Sequence, residues 1–106
     1  MSKLKSYLGL CVKSGGLVIG QDRLKKYNKT IYLLIVSPDA TKNLEDLAFR
    51  LSEKFDCDCI KTNELLGEII HISGCKFVGV TNESLANVIK LQQTEFTEVR
   101  RKDGKQ

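Results

Sequence analysis

The chain has 106 residues, of which 42% are hydrophobic and 28% charged, and its 17 Lys and Arg against 13 Asp and Glu give a formal charge of +4. This length suits one domain because two separate cores would each bury too little apolar surface, and the composition excludes a disordered or collagen-like chain. No run approaches the ~18 apolar residues that suggest a membrane-spanning helix. The first residues lack the apolar segment and cleavage site of a secretory signal, so we expect a cytoplasmic protein.

Helices and strands alternate along the first 91 residues. Apolar residues at helical spacing predict a helix over residues 4–12, with Ser2 as its N-cap and Gly15-Gly16 as its stop. The uninterrupted apolar run at residues 31–36 is typical of a central strand that is covered on both faces. The other predicted elements are a strand at 17–19, a short helix at 21–27, a helix at 44–55, a strand at 57–61, a short helix at 65–70 capped by Thr62-Asn63-Glu64, a strand at 77–80 and a helix at 82–91.

This alternation predicts the fold class. Four strands interleaved with helices indicate a single α/β domain, a three-layer α-β-α sandwich around a four-stranded mixed sheet. We expect residues 1–91 to form the domain and residues 92–106, which are polar, to form a flexible C-terminal tail.

The positive charge is concentrated near the N-terminus. Residues 1–29 carry seven basic residues and one acid, whereas residues 30–69 carry four basic residues and eight acids. A basic segment of this kind favours a polyanionic partner, although the same lysines would also suit an ordinary solvated helix face.

Few residues in the chain could carry catalysis. The one histidine, His71, lies in a predicted loop with no nucleophile motif beside it. Neither the glycine-rich loop of nucleoside triphosphatases nor the dinucleotide-binding fingerprint is present. We therefore expect no enzymatic activity, no cofactor and no small-molecule substrate.

The four cysteines are Cys11, Cys57, Cys59 and Cys75. Structural zinc sites usually contain paired Cys-x₂₋₄-Cys motifs, and here only Cys57-Asp58-Cys59 brings two cysteines close in sequence. On a strand these two side chains point to one face, where they could chelate a metal or simply face the core. We expect reduced thiols and no metal; a thiol- or metal-dependent enzyme built on Cys57, Cys59 and Cys75 is the alternative.

A candidate anion site occurs where the predicted strand 17–19 passes through Gly20 into the helix 21–27. Backbone N–H groups at a helix start attract anions, and a glycine allows a phosphate to approach the backbone. Lys25 and Lys26 follow one turn later, and Lys13 precedes the strand. With the basic surplus this pattern favours a nucleic acid. Folded RNA suits it better than DNA, because the helix is short and no helix-turn-helix pair accompanies it.

Several segments resemble the kink-turn-binding ribosomal protein superfamily (the L-seven-Ae / L-thirty-e group), above all its bacterial YlxQ-type members. They are LGLCVKSGGLVIGQDRLKK at 8–26, LLIVSPDA at 33–40, LLG at 65–67 and VGVTN at 78–82, and the resemblance covers about residues 4–91 in order. It implies an α-β-α sandwich that binds a kink-turn or similarly bent RNA, in the manner of a ribosomal protein. We expect the protein to be a monomer.

The resemblance also implies which residues bind RNA. A family motif, Gly-x-Asn-Glu-x-x-Lys, grips sheared G·A pairs, and its positions fall on Gly20, Asp22, Arg23 and Lys26. An ionised Asp22 offers only acceptors where the family has asparagine, whereas Arg23 in place of the glutamate favours phosphate, so we expect recognition of backbone and shape. The resemblance adds Asp39, which matches an acidic family residue after the central strand, and the loop Ile72, Ser73, Gly74, Cys75 and Lys76, which in the family cradles an extruded nucleotide. With the candidate anion site, the predicted RNA-binding set is Lys13, Gly20, Gln21, Asp22, Arg23, Lys25, Lys26, Asp39, Ile72, Ser73, Gly74, Cys75 and Lys76.

Other interpretations of the same residues stay open. Gly20 could be only a turn glycine, Asp39 a structural turn residue, and Ser73-Gly74 a simple loop closure. The acidic region 39–68 could instead dock a basic protein, which would make the chain a protein–protein adaptor on the same scaffold.

Overall fold

Helices and strands alternate through most of residues 2–101, the part of the chain that the computed structural model describes. None of the helices in that range is long and apolar enough to cross a membrane. The elements are α1 (Lys3–Ser14), β1 (Leu17–Ile19), α2 (Gln21–Lys26), β2 (Leu33–Val36), α3 (Lys42–Phe55), β3 (Asp58–Thr62), α4 (Leu66–Ile69), β4 (Phe77–Val80), α5 (Glu83–Lys90), a 3₁₀ turn (Gln93–Glu95) and β5 (Phe96–Arg100).

The strands form one mixed sheet in the order β1-β4-β2-β3-β5. β2 and β3 are parallel, and the other neighbouring pairs are antiparallel. Ile35 of β2 pairs with Val78 on one side and with Ile60 on the other. All four residues of β2 are buried. The predicted central strand is therefore confirmed, and within residues 2–101 the sheet of this mixed α/β domain has five strands instead of the predicted four.

Helices cover both faces of the sheet. On one face α1, α4 and α5 pack against inward residues of the central strands, with Leu8 and Ile89 among the buried contacts. On the other face α2 and α3 contribute Leu24, Ala48 and Leu51 to a second apolar cluster. Burial of these two clusters is the main favourable contribution to the stability of the domain.

The predicted boundaries of α1 are confirmed by their local chemistry. The Ser2 hydroxyl accepts a hydrogen bond from the backbone N–H of Lys5 at 3.1 Å, and Gly15 ends the helix with φ +73°. The predicted cap of α4 by Thr62-Asn63-Glu64 is wrong. The Ser37 hydroxyl, which follows β2, accepts from the N–H of Leu66 at 3.0 Å, and this contact joins segments 29 residues apart.

The expectation of a flexible tail over residues 92–106 is wrong for the part that the structure describes. β5 pairs antiparallel with β3, and Phe96 is only 8% exposed in the core. The Glu95 carboxylate accepts hydrogen bonds from the Ser2 hydroxyl and from the N–H of Leu4, so it caps the start of α1. Residues 102–106 lie outside the described range.

β5 has a pattern that periodicity alone does not reveal. It is an edge strand with exposed Thr97 and Glu98, as expected for an edge that avoids pairing with other chains. Phe96 packs on one face of the sheet and Val99 on the other, because residues an odd number apart on a strand point to opposite faces. The alternation of apolar and polar residues that marks a strand is therefore interrupted.

Candidate nucleic-acid interface

Three segments of the predicted RNA site meet at one end of the sheet. Since β4 is antiparallel to both β1 and β2, its first residue lies beside the last residues of those strands. The N–H of Gly20 donates to the carbonyl of Phe77 at 2.9 Å, and the N–H of Ser37 donates to the carbonyl of Lys76 at 2.9 Å. The β1–α2 junction, the turn after β2 and the loop 72–76 are thereby fixed next to one another.

Gly20 makes the sharp turn from β1 into α2. Its φ of +97° and ψ of 148° lie in a region that is essentially restricted to glycine. Its N–H is already bonded to Phe77, and its carbonyl accepts from Leu24 at 3.1 Å. The expectation that a phosphate approaches a free backbone at Gly20 is therefore not supported for its own N–H; the residue shapes the junction.

α2 is held against the sheet by one buried side chain, Leu24, which packs over Gly79 of β4. A Cβ atom at Gly79 would lie 2.8 Å from Cδ2 of Leu24, so the glycine permits this close approach. The remaining side chains of α2 point to solvent. They are Gln21, Asp22, Arg23, Lys25 and Lys26.

The basic side chains of α2 are not neutralised by neighbours. Among residues 2–101, no carboxylate lies within 4.0 Å of the charged nitrogens of Arg23, Lys25 or Lys26. Exposed and unpaired cations of this kind can exchange their counterions for phosphates, which is the main source of affinity for nucleic acids.

The base of the loop 72–76 is bonded to the rest of the domain, whereas its tip is exposed to solvent. The N–H of Ile72 donates to the carbonyl of Gly67 at 2.9 Å, and Ile72 and Cys75 pack partly against the core. Ser73 and Gly74 at the tip are exposed, and Gly74 has φ +78°. The loop thus presents a small polar tip beside the β1–α2 junction.

Asp39 lies in the same region and pairs with Lys76 at 3.6 Å. A hydrogen bond from the Ser37 hydroxyl and the charge of Lys76 lower the pKa of Asp39 below its usual value. Asp39 is therefore ionised at neutral pH and orients Lys76. Its predicted place near the RNA site agrees with this position, and its contact with RNA stays a prediction.

Helix α3 also lines the candidate site, which the sequence alone did not predict. A cleft of about 350 Å³ between α2 and α3 is lined by Gln21, Lys25 and Lys76 together with Asn43 and Arg50 of α3. The signal was present, because Asn43, Leu47, Arg50 and Lys54 recur at helical spacing along one edge of α3. Their relation to α2 depends on tertiary packing, which periodicity does not show.

Lys13 is not brought into this cleft. It lines a different cleft of about 560 Å³ between α1 and α4, together with Glu64, Glu68 and His71. Lys13 therefore lies outside the cleft between α2 and α3, in a cleft that includes His71, directly before the loop 72–76. The α2 side chains, Asp39 and the loop 72–76 are grouped at one end of the sheet.

The cysteines lie mainly in the core. Cys57 and Cys59 both pack in the apolar cluster with α3, so they share one face as predicted, and Cys11 is buried on the inward face of α1. Burial raises the pKa of the Cys11 thiol to about 11 and that of Cys57 and of Cys59 to about 12. Within residues 2–101 no three His, Cys, Asp or Glu side chains are placed to hold a metal ion together.

The burial of the thiols predicts the order in which they react with an alkylating reagent. Alkylation by iodoacetamide at pH 8 is expected to modify Cys75 well before Cys11, Cys57 and Cys59, because Cys75 is partly exposed whereas the other three are buried. Burial raises the pKa of all four thiols and so lowers the fraction of reactive thiolate in each. Mass spectrometry of peptides at timed intervals measures this order. In urea all four thiols should react at similar rates, and a native Cys57 that reacts as fast as Cys75 would contradict the buried placement.

Comparison with known proteins identifies the fold but no function. No protein-family model and no curated protein matches the sequence. A solved structure of a protein of unknown function from Bacillus halodurans C is similar, with a TM-score of 0.80 at 20% sequence identity, over 90% of this chain and 100% of that chain. At this identity the similarity shows a shared mixed α/β fold and does not extend to activity.

Proposed function

We propose that this protein is a non-enzymatic RNA-binding protein that recognises a kink-turn or a similarly bent RNA, on an α-β-α sandwich of the kink-turn-binding type. One observation carries the proposal. The β1–α2 junction and the loop 72–76, which are about 50 residues apart in sequence, are joined by the Gly20–Phe77 hydrogen bond and lie beside exposed, unpaired cations. Both segments are those that the resemblance assigns to RNA.

Each group of side chains makes a different contact with the RNA, according to its chemistry. Arg23, Lys25 and Lys26 bind phosphates, and the planar guanidinium of Arg23 can hold two phosphate oxygens at once. The exposed tip of the loop 72–76 seats a nucleotide that the bend in the RNA has unstacked, with Ile72 as the apolar surface below it. Asp22 accepts hydrogen bonds from a base amino group.

The charge pairing within the domain favours this proposal over the protein–protein adaptor. The acidic region 39–68 does not present a field of unpaired carboxylates. Five of its acids are paired with lysines: Asp39 with Lys76, Glu45 with Lys61 at 2.5 Å, Asp46 with Lys42, Asp58 with Lys90 and Glu64 with Lys5 at 2.6 Å. The basic residues of α2 lack such partners in the described chain, so they are the charges left for an external ligand.

The proposed function is tested by a gel-shift titration of a kink-turn hairpin against a straight duplex of equal length. The protein is expected to bind the kink-turn hairpin more tightly at the same salt concentration. Equal, weak binding to the two RNAs would contradict recognition of a bent RNA, because the charge of the backbone alone would then explain the binding.

Replacement of Lys25 and Lys26 together by alanine is expected to weaken binding and to make it less sensitive to salt. Each lost phosphate contact should reduce the slope of log affinity against log salt by about 0.7–0.9, so the double variant should lose roughly 1.4–1.8. Titrations at four or more salt concentrations measure the slope. The control is the Lys3→Ala/Lys5→Ala variant, which loses the same charge on α1, across the sheet from α2. An unchanged slope for the α2 variant would place the phosphate contacts elsewhere.

A further inference from the structure

We infer that the RNA-binding surface continues from α2 onto α3, where Arg50 and Lys54 hold the phosphate backbone of a double-stranded stem next to the bend. This inference rests on the proposed function and extends it to a second helix that the resemblance does not assign to RNA. It names the helical stem as the part of the RNA that α3 contacts.

The first support is the shape of the surface. The cleft between α2 and α3 is lined by Lys25 of one helix and Arg50 of the other, so the two helices form opposite walls of one concave site. The Nζ atom of Lys54 donates to the carbonyl of Lys25 at 3.2 Å, which places the end of α3 against the end of α2. The basic surface is therefore continuous from one helix to the other.

The second support is the distribution of charge on α3. Two of the three acids of this helix are in ion pairs, Glu45 with Lys61 and Asp46 with Lys42, and the third, Glu53, is exposed next to the row formed by Asn43, Leu47, Arg50 and Lys54. Arg50 and Lys54 are exposed, and within the described residues neither forms an ion pair with a carboxylate. The edge of α3 that faces α2 consequently carries a net positive charge that nothing within residues 2–101 neutralises through an ion pair.

The third support is the distance between the two basic residues along α3. Arg50 and Lys54 are four residues apart, which corresponds to about 6 Å along a helix axis. The stem is an A-form RNA duplex, in which the phosphates of one strand follow one another in a regular row. Two cations at this spacing can contact nearby phosphates of the same strand. A row of this kind fits a regular stem better than the unstacked nucleotides of the bend.

The test compares the Arg50→Gln/Lys54→Gln variant with the wild-type protein on a kink-turn hairpin. Glutamine keeps good helix propensity and removes the charge. The salt slope of binding is expected to fall by about 1.4–1.8, which corresponds to two phosphate contacts. The matched control is Lys3→Gln/Lys5→Gln on α1, for which the slope should stay at the wild-type value. Thermal unfolding of each variant establishes that the fold is retained.

A second series of RNAs determines which of the two stems of the hairpin α3 contacts. Hairpins shortened in one stem or in the other are titrated with the wild-type protein and with the α3 variant. For one of the shortened hairpins the two proteins are expected to have the same slope, because the phosphates that α3 contacts have been removed.

The outcomes separate the two proposals. If the wild-type protein does not prefer the kink-turn hairpin to a straight duplex, both proposals fail. If it does, but the α3 variant keeps the wild-type slope or changes no more than the α1 control, the extension to α3 is overturned and the proposed function stands. A reduced slope that persists on both shortened hairpins would also overturn the contact with a stem.

Discussion

A chain shortened to end at Gln92 is expected to lose its cooperative thermal unfolding transition. The shortening removes Phe96 from the core and leaves the edge of β3 unpaired. It also removes the Glu95 carboxylate that caps α1. Loss of a buried phenylalanine side chain alone typically costs about 3–5 kcal/mol, which is comparable with the ~5–15 kcal/mol that stabilises a typical domain.

Circular dichroism during heating measures this effect, and a chain that ends at Arg101 is the control. The control keeps β5 and should unfold at nearly the wild-type temperature. If the chain that ends at Gln92 unfolded cooperatively within a few degrees of the wild type, β5 would contribute little to the fold, as the sequence analysis expected.

Replacement of Gly67 by alanine is expected to displace the loop 72–76 and so to weaken both the fold and RNA binding. A Cβ atom at Gly67 would lie 2.7 Å from the carbonyl oxygen of Ile72 and 3.3 Å from the backbone nitrogen of Cys75. Both are backbone atoms, which cannot rotate away as a flexible side chain could. We expect a loss of about 1–3 kcal/mol in the free energy of unfolding, in the range of other overpacked sites.

The matched control is Gly9→Ala on α1, where a Cβ atom would have no neighbour within 4 Å. That variant should be as stable as the wild type or more stable by up to about 1 kcal/mol, since alanine favours a helix. Urea unfolding and the two-RNA titration provide the measurements. Gly67→Ala should reduce affinity for the kink-turn hairpin more than for the straight duplex, and an equal reduction on both RNAs would argue against a role of the loop in recognising the bend.

The parts of the fold that the sequence predicted well are those with a strong local pattern. The apolar run of β2 and the apolar stripe of α3 each need burial, and both were placed correctly to within a few residues. The cap of α4 by Ser37 and the addition of β5 to the sheet were missed for a common reason. Each depends on a partner far away in sequence, Leu66 and β3 respectively, and no local periodicity reports such a partner.

The same distinction applies to the candidate site: local sequence predicted some of its residues, and tertiary packing determines the others. The turn glycine and the lysines of α2 could be proposed from their order along the chain. Arg50 could not be added, because its position opposite Lys25 follows from how α2 and α3 pack on the sheet. Lys13 was included because it is close to Gly20 in sequence, but it lines another cleft on the α1 side.

Both proposed contact segments are attached to one short strand, β4. Its first residue is bonded to Gly20 and directly follows the loop 72–76, and its Gly79 supports Leu24 of α2. Both segments are thus held next to each other by the same strand. Under the proposed function, this arrangement makes the protein side of the complex preorganised, so a ligand that touches both segments has to adopt the matching curvature. Part of the binding free energy would then offset the cost of bending the RNA, and an RNA whose sequence already favours the bend is expected to be bound most tightly.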